Sequence, residues 1–539
     1  MIPAKLLFKD GTKFIGKSFG CPKSVSGEIV FNTGMVGYCE TLTDPSYYGQ
    51  ILVITFPIVG IYGVPKDERD PWGLLKAFES NKIHIKGLVI SDYSDDYDHY
   101  QSVLSLGEWL KKENIPGIYL VDTRQLTKKI RTQGSMLCKM EFNNNSIDFW
   151  DPNVENLSQY VCDKGHKIIS KNPFYPYILV IDCGIKNSIL RKLLNYDVNL
   201  KIVPWDYDFT NDLELHNIKG IFISNGPGNP EHLQITINNV KKTLDKNIPI
   251  FGICLGHQIL ALAAGCKTYK MKFGNRSMNQ PVIDTRTRRC FITSQNHNYT
   301  VDNDSLPEDW NTLFINANDR SNEGIIHRYK PFFSAQFHPE GNGGPEDTKF
   351  LFKMFISSLK SKKFPIEVMN IKNKPNIRKV LLLGSGGISI GQAGEFDYSG
   401  SQCIKALKEE NIEIILVNPN IATIQTSKGM ADKTYFVPVI KNTIEKIIEK
   451  EKPDGIMLQF GGQTALNCGI DLHNSGILKV HNIVILGTQI EAIITTEDRE
   501  VFNKKLEDIN EPFIETYVAN DIATAKIHAE KIGYPVLVR

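Results

Sequence analysis

The chain opens on short, largely apolar runs that alternate with polar turns. Leu6 to Phe8, Glu28 to Phe31, Ile51 to Thr55 and Gly87 to Ile90 read as strands bounded by turn residues. Asp10-Gly11 supplies a hairpin turn signal directly after the first of them. Two helices interrupt this pattern, Leu106 to Lys112 and Gln125 to Arg131, the second behind the candidate caps Asp122 and Thr123. A β-rich domain is therefore expected over residues 1–145, and the polar stretch Asn143 to Lys171 reads as a connector, placed at 146–176.

From Tyr177 the pattern changes to buried runs of four to six residues separated by helix-period segments. Ile178 to Asp182, Gly220 to Ser224 and Pro249 to Ile253 read as strands; Leu190 to Asn195 and Asn238 to Asp245 read as helices. Strand–helix alternation predicts a parallel α/β sheet over residues 177–359, closing on a helix that begins near Glu346. The Lys-, Asn- and Pro-bearing stretch 360–377 reads as a linker. Lys379-Val-Leu-Leu-Leu383 then starts a second α/β domain, expected over 378–494. A last segment, 495–539, ends on the apolar run Pro535-Val-Leu-Val, a strand barely begun, so the sequence reads as a fragment.

Composition narrows the function classes. With 539 residues, several domains are required. A formal charge of +2 gives no nucleic-acid footprint, and no run approaches the ~18 apolar residues that span a membrane. The ten cysteines are scattered without a C-x-x-C pair, which argues against structural zinc or a disulfide scaffold and predicts no metal site. The absence of an Arg- and Ser-rich leader points to the cytoplasm.

Candidate chemistry centres on Pro249-Ile-Phe-Gly-Ile-Cys254-Leu-Gly-His-Gln258. A strand runs into a turn flanked by Gly252 and Gly256, and an apolar helix follows at once. This is the pattern of a nucleophile elbow, with Cys254 at a helix N-terminus where the dipole favours thiolate. A nucleophile needs a base and the base an orienter. His338 and Glu340, two apart in Gln336-Phe-His-Pro-Glu340, can face one side of an extended segment. Ser224-Asn-Gly226-Pro-Gly228 follows a strand, and the N–H groups of Gly228 and Leu255 are candidates for an oxyanion hole.

These three motifs, in this order, resemble the class I (triad) glutamine amidotransferases. The resemblance implies that Cys254 attacks the glutamine side-chain amide, His338 shuttles protons and Glu340 orients His338. It implies that Gly226, Gly228, Leu255 and Gln258 hold glutamine. Gly27-Glu-Ile-Val-Phe-Asn-Thr-Gly-Met-Val-Gly37, Thr43-Asp-Pro-Ser46-Tyr and Val121-Asp-Thr-Arg-Gln-Leu-Thr127 resemble the small-subunit domain of carbamoyl phosphate synthetase. By that likeness Ser46 and the segment Asn296, Asn298, Tyr299 also contact glutamine. Glycine is usual where Asn298 stands, so any positive φ there falls to an asparagine. Leu383-Gly-Ser-Gly-Gly-Ile-Ser-Ile-Gly-Gln-Ala-Gly-Glu-Phe-Asp-Tyr-Ser-Gly400 departs from G-x-G-x-x-G at Ser389 and resembles the start of the large subunit, as do Val417 to Thr423 and Gly461 to Asn467.

The fold class implied is therefore α/β throughout: a β-rich small-subunit domain, the amidotransferase, a pre-ATP-grasp domain and the start of an ATP-grasp domain. The implied function is glutamine-dependent carbamoyl phosphate synthesis from bicarbonate and ATP, with pyrimidine biosynthesis as the pathway. The glutaminase needs no cofactor, whereas the complete synthetase uses ATP with Mg²⁺ or Mn²⁺, and Arg499 and Arg539 match its ATP contacts. Its implied partners are the remainder of the synthetase on the same polypeptide, with aspartate transcarbamoylase and dihydroorotase as candidate modules and a homo-oligomer as the complete form. The competing reading is a glutaminase-like regulatory module of an ammonia-dependent, urea-cycle-type synthetase. Such relatives can lose the cysteine, which this sequence keeps.

Overall fold

A computed structural model describes residues 2–143, 145–210, 218–361, 376–384, 393–421 and 423–538. It divides into two compact units, Met1–Ile371 and Lys372–Arg539.

The first unit starts as a closed barrel. Its strands follow one another around the wall in the order Pro3–Phe8, Met136–Phe142, Val25–Asn32, Gln50–Ile54, Gly87–Val89, Gly117–Tyr119, Lys13–Ser18. Closure removes the free edges that an open sheet of this size would leave. Leu6, Ile29, Ile51, Val53, Val89, Ile118 and Met140 pack together on one side of these strands, and Val30, Leu52 and Leu88 from the intervening positions join a separate core. Both expected helices are present, Leu106–Lys112 and Thr123–Gln133. Ser105 and Glu108 form a capping box on the first, and Asp122 accepts from Gln125 N on the second.

The second half of this unit is a ten-stranded sheet. Its centre is a parallel run ordered Asn199–Pro204, Tyr177–Asp182, Ile218–Ile223, Ile250–Ile253, Phe332–Ala335, and antiparallel strands extend it at both ends. Period-2 alternation divides the strand residues between two cores. Ile178, Val180, Phe222, Phe251 and Phe333 meet the helices Asn187–Leu194 and Phe350–Ser361 on one face. Leu179, Ile181, Ile221, Ile223 and Ile250 meet Gln234–Thr243 and Leu255–Ala264 on the other. Helices on both faces are what a parallel sheet requires. Two helix expectations need shifting: the one placed at Asn238 starts at Gln234, and the one placed at Glu346 starts at Phe350. The connector has structure of its own, and its strand Lys167–Ile169 pairs antiparallel with Asn199–Pro204 at the sheet edge.

The second unit carries a five-stranded parallel sheet ordered Lys433–Tyr435, Glu413–Val417, Lys379–Leu383, Gly455–Met457, Val484–Leu486. The helices Lys441–Glu451 and Gly462–Asn474 pack Ile444, Ile448, Ala465 and Leu472 against it. Of the glycine-bearing run from Leu383 to Gly400, residues 385–392 lie outside the described residues, as do most of the expected linker and Arg539. Among the described residues, no helix is long and apolar enough to cross a membrane.

Candidate active site

Cys254 sits between the strand Ile250–Ile253 and the helix Leu255–Ala264, with φ 55° and ψ −105°. A non-glycine residue at positive φ is strained, and strain of this kind persists where packing over-determines it. The glycines on either side make that packing possible. A Cβ on Gly256 would lie 2.1 Å from the carbonyl oxygen of Ile223, and one on Gly252 would lie 2.4 Å from that of Gly256. The helix therefore presses directly onto the sheet, and its first turn fixes the thiol. Leu255 is the first helical residue, so its N–H has no acceptor within the helix.

His338 follows the strand Phe332–Ala335 and is anchored by its N–H to Ser294 O at 2.9 Å. Its Nδ1 lies 2.7 Å from Glu340 Oε1, and its Nε2 is buried without a hydrogen bond of normal geometry. Burial would lower the imidazole pKa. The Glu340 carboxylate and the neighbouring Cys254 sulfur outweigh it and hold the pKa up to about 10. Glu340 in turn faces Lys186, whose Nζ donates to the same Oε1 at 2.8 Å and lies 3.7 Å from Glu79 Oε1. Burial opposes ionisation of Glu340, yet Lys186 and His338 together depress its pKa strongly. Lys186 is pushed up for the reciprocal reason: burial works against its charge, and Glu340, Glu79 and Asp44 outweigh burial. The array is a buried relay from Lys186 to Glu340 to His338 to Cys254.

One cavity opens on the thiol. It is lined by Ser46, Gly226, Gly228, Leu255, Gln258, Asn296, Asn298 and Tyr299 together with Cys254. All eight residues marked in the sequence for glutamine thus share a single pocket. Their hydrogen bonds leave defined capacity for a ligand. Ser46 Oγ accepts from Asn225 Nδ2 at 2.9 Å, which keeps its own proton free. Gln258 Nε2 spends both protons, on Tyr299 O at 2.8 Å and Gln336 Oε1 at 2.9 Å, leaving Oε1 as an acceptor. Asn296 is buried with neither side-chain oxygen nor nitrogen paired, an unusual state for a native amide unless a ligand completes it. Asn298 adopts no positive φ: it lies within the strand Cys290–Val301 and uses its side chain instead, donating to Glu28 Oε2 at 2.6 Å.

Several residues of the site escaped the sequence reading. Glu28, Tyr48 and Gln50 come from the barrel, and Pro152, Asn153 and Leu157 come from the connector. Lys186 follows the strand Tyr177–Asp182. Two of them did carry a signal. Glu28 directly precedes the apolar run Ile29-Val-Phe31, and Lys186 lies shortly after the apolar run Ile178-Leu-Val-Ile181, where a charge that becomes buried must find a partner. Arg499 is exposed at the first position of the helix Arg499–Asp508. No cluster of three or more His, Cys, Asp or Glu able to hold a metal occurs among the described residues.

A strained thiol, a charge-paired imidazole and a pocket of unsatisfied amide and hydroxyl groups thus meet at one place. Residues 179–358 match the family described as glutamine amidotransferase class-I, and they form a domain of that class. Residues 6–140 match the CPSase domain of the carbamoyl-phosphate synthase small chain, and residues 376–495 match the carbamoyl phosphate synthase preATP-grasp domain, so stretches on both sides of the amidotransferase match domains of carbamoyl-phosphate synthases. It is 52% identical to the multifunctional protein pyr1-3 of Dictyostelium discoideum and 50% identical to the multifunctional protein CAD of Squalus acanthias, in each case over 99% of this chain and 25% of the relative. Identity is 48% to the mitochondrial carbamoyl-phosphate synthase [ammonia] of Homo sapiens, over 99% of this chain and 36% of that protein. The chain thus spans about a quarter to a third of the length of these relatives.

Proposed function

We propose that this chain hydrolyses glutamine at Cys254 and that, within a longer polypeptide, the ammonia released feeds ATP- and bicarbonate-dependent synthesis of carbamoyl phosphate, the first step of pyrimidine biosynthesis. The observation that carries the reading is the placement of Cys254, strained at φ 55°, in one cavity with all eight glutamine-contact candidates, next to the His338–Glu340 pair. The thiolate attacks the side-chain amide carbon, and the oxygen takes the negative charge between the N–H groups of Leu255 and Gly228. His338 Nε2 gives its proton to the departing nitrogen, so ammonia leaves and a glutamyl thioester remains. His338, now neutral, takes a proton from water, and the hydroxide cleaves the thioester to glutamate and the thiolate.

The relatives named for ammonia favour a second reading, a regulatory module without hydrolysis, but the intact Cys254 elbow supports hydrolysis. ATP and Mg²⁺ enter through the synthetase domains of the longer relatives alone. Arg499 is exposed, and no built metal or phosphate site accompanies it among the described residues. Cys254→Ser should abolish glutamate formation while leaving the circular dichroism spectrum unchanged, because a hydroxyl does not ionise as a thiol does. An electrophilic glutamine analogue should label Cys254 and spare the exposed Cys290. Peptide mapping that placed the label on Cys290 or Cys266 would overturn the assignment.

A further inference from the structure

The pocket contains one acidic side chain, and none of the chemical steps uses it. Glu28 lies on the barrel strand Val25–Asn32, is 3% exposed, and lines the cavity that holds Cys254. Its Oε1 accepts from Lys270 Nζ at 2.8 Å and from Asn153 Nδ2 at 3.4 Å, and its Oε2 accepts from Asn298 Nδ2 at 2.6 Å. Asn298 cannot turn its amide over. Its Oδ1 takes hydrogen bonds from Arg276 and, at 3.4 Å, from Ser135 Oγ, so Nδ2 is held against Glu28. A carboxylate oxygen can accept two hydrogen bonds, and among the described residues Oε2 has only this one donor.

Gln50 stands beside it. In the parallel pairing of Val25–Asn32 with Gln50–Ile54, Glu28 is the register partner of Gln50, which puts both side chains on one face of the wall. Gln50 lines the same cavity, and its Oε1 is buried without a partner. Two buried acceptor atoms with spare capacity therefore stand on one face of adjacent strands. Such an arrangement is costly unless a donor completes it. None of the residues lining the cavity is Lys or Arg. Lys270, which does not line the cavity, already balances the Glu28 charge, so what the cavity side lacks is a donor, and an ammonium group with three protons can serve Glu28 Oε2 and Gln50 Oε1 together.

We infer that Glu28 and Gln50 bind the α-ammonium group of the substrate, so that the barrel selects a free amino acid while the α/β sheet performs the chemistry. The inference rests on the glutaminase reading at Cys254. It assigns Glu28 and Gln50 to substrate specificity and explains the Asn298 side chain as the clamp that aims Glu28. Peptide-bound glutamine and simple γ-amides, which lack that ammonium group, are then excluded even though their reacting atoms are identical.

The full chain is assayed for hydrolysis of glutamine and of glutaramate, which is glutamine without its α-amino group. The unsubstituted chain should favour glutamine in kcat/KM by roughly 10³-fold or more, the discrimination expected when a buried hydrogen-bonding group loses its partner. Glu28→Gln should reduce that ratio by about 100-fold or more, and Gln50→Leu by about 10-fold, chiefly through the KM for glutamine. A proportional fall for both substrates would overturn the inference and leave Glu28 as a structural strut, and an unchanged ratio would overturn it as well. Should Glu28→Gln not fold, the ratio in Gln50→Leu decides alone. Failure of the unsubstituted chain to hydrolyse glutamine would remove the glutaminase reading itself and this inference with it. Glutamine hydrolysis with an unaltered ratio in the variants removes only the inference.

Discussion

His338 holds its proton well into the alkaline range because Glu340 and Cys254 outweigh the cost of burying its charge. The protonated ring is the form that serves the departing ammonia, so activity should persist through neutral pH and fall as pH rises towards about 10. Glu340→Gln removes the anion that raises this pKa. The alkaline limb of kcat/KM against pH should then move to lower pH by about one unit or more, alongside a loss of rate. A limb that stayed in place or moved upward would show that Glu340 does not set the charge of His338. Lys186 belongs to the same balance. It neutralises Glu340 at the same oxygen that meets the imidazole and lets a carboxylate remain charged at 0% exposure.

The elbow illustrates how close contact between a strand and a helix fixes a reactive group. Gly256→Ala would place a methyl carbon 2.1 Å from Ile223 O, a backbone atom that cannot swing aside. The helix Leu255–Ala264 would have to lift off the sheet. Urea denaturation should show a loss of about 3 kcal/mol, and glutaminase activity should fall far more than stability does, because the thiol moves with the helix. A variant that retained activity would mean the contact is not what positions Cys254. This element was legible from the sequence because strand, glycines, cysteine and helix are contiguous, and so was the two-residue spacing of His338 and Glu340. Glu28, Gln50 and Lys186 were not legible as site residues. Glu28 and Gln50 look like ordinary strand positions, and their role arises only when a barrel strand meets a hairpin more than two hundred residues away, as the Glu28–Asn298 bond does with a separation of 270. Pro152, Asn153 and Leu157 read as connector because polar composition records solvent contact and does not record which wall a segment completes.

At the scale of the whole first unit, barrel and α/β sheet are joined by a shared helix start. The helix Asn187–Leu194 has no cap from its own N-cap side chain. Glu79, from the barrel side, supplies one. Its Oε2 accepts from Ser188 N at 3.0 Å and Ser188 Oγ at 2.8 Å, its backbone oxygen takes Asn187 N at 2.8 Å, and its Oε1 takes Asn342 Nδ2 at 2.6 Å. Glu79→Ala should therefore destabilise this unit by about 3 kcal/mol, since it uncaps the helix and strips Lys186 of one of its carboxylates. Thermal unfolding would register the change, and a midpoint within experimental scatter of the unsubstituted chain would contradict this role.

The wide spacing of these partners also has a consequence in time. A ribosome makes the barrel first, then Lys186, then Cys254, and His338 and Glu340 only afterwards. At the ~5–20 residues per second of ordinary translation, a gap on the order of ten seconds separates the emergence of the thiol from that of its base. Throughout that interval the growing chain exposes a cysteine that has no proton partner and no finished pocket, and glutamine has nothing to react with. The order of synthesis arms the nucleophile last.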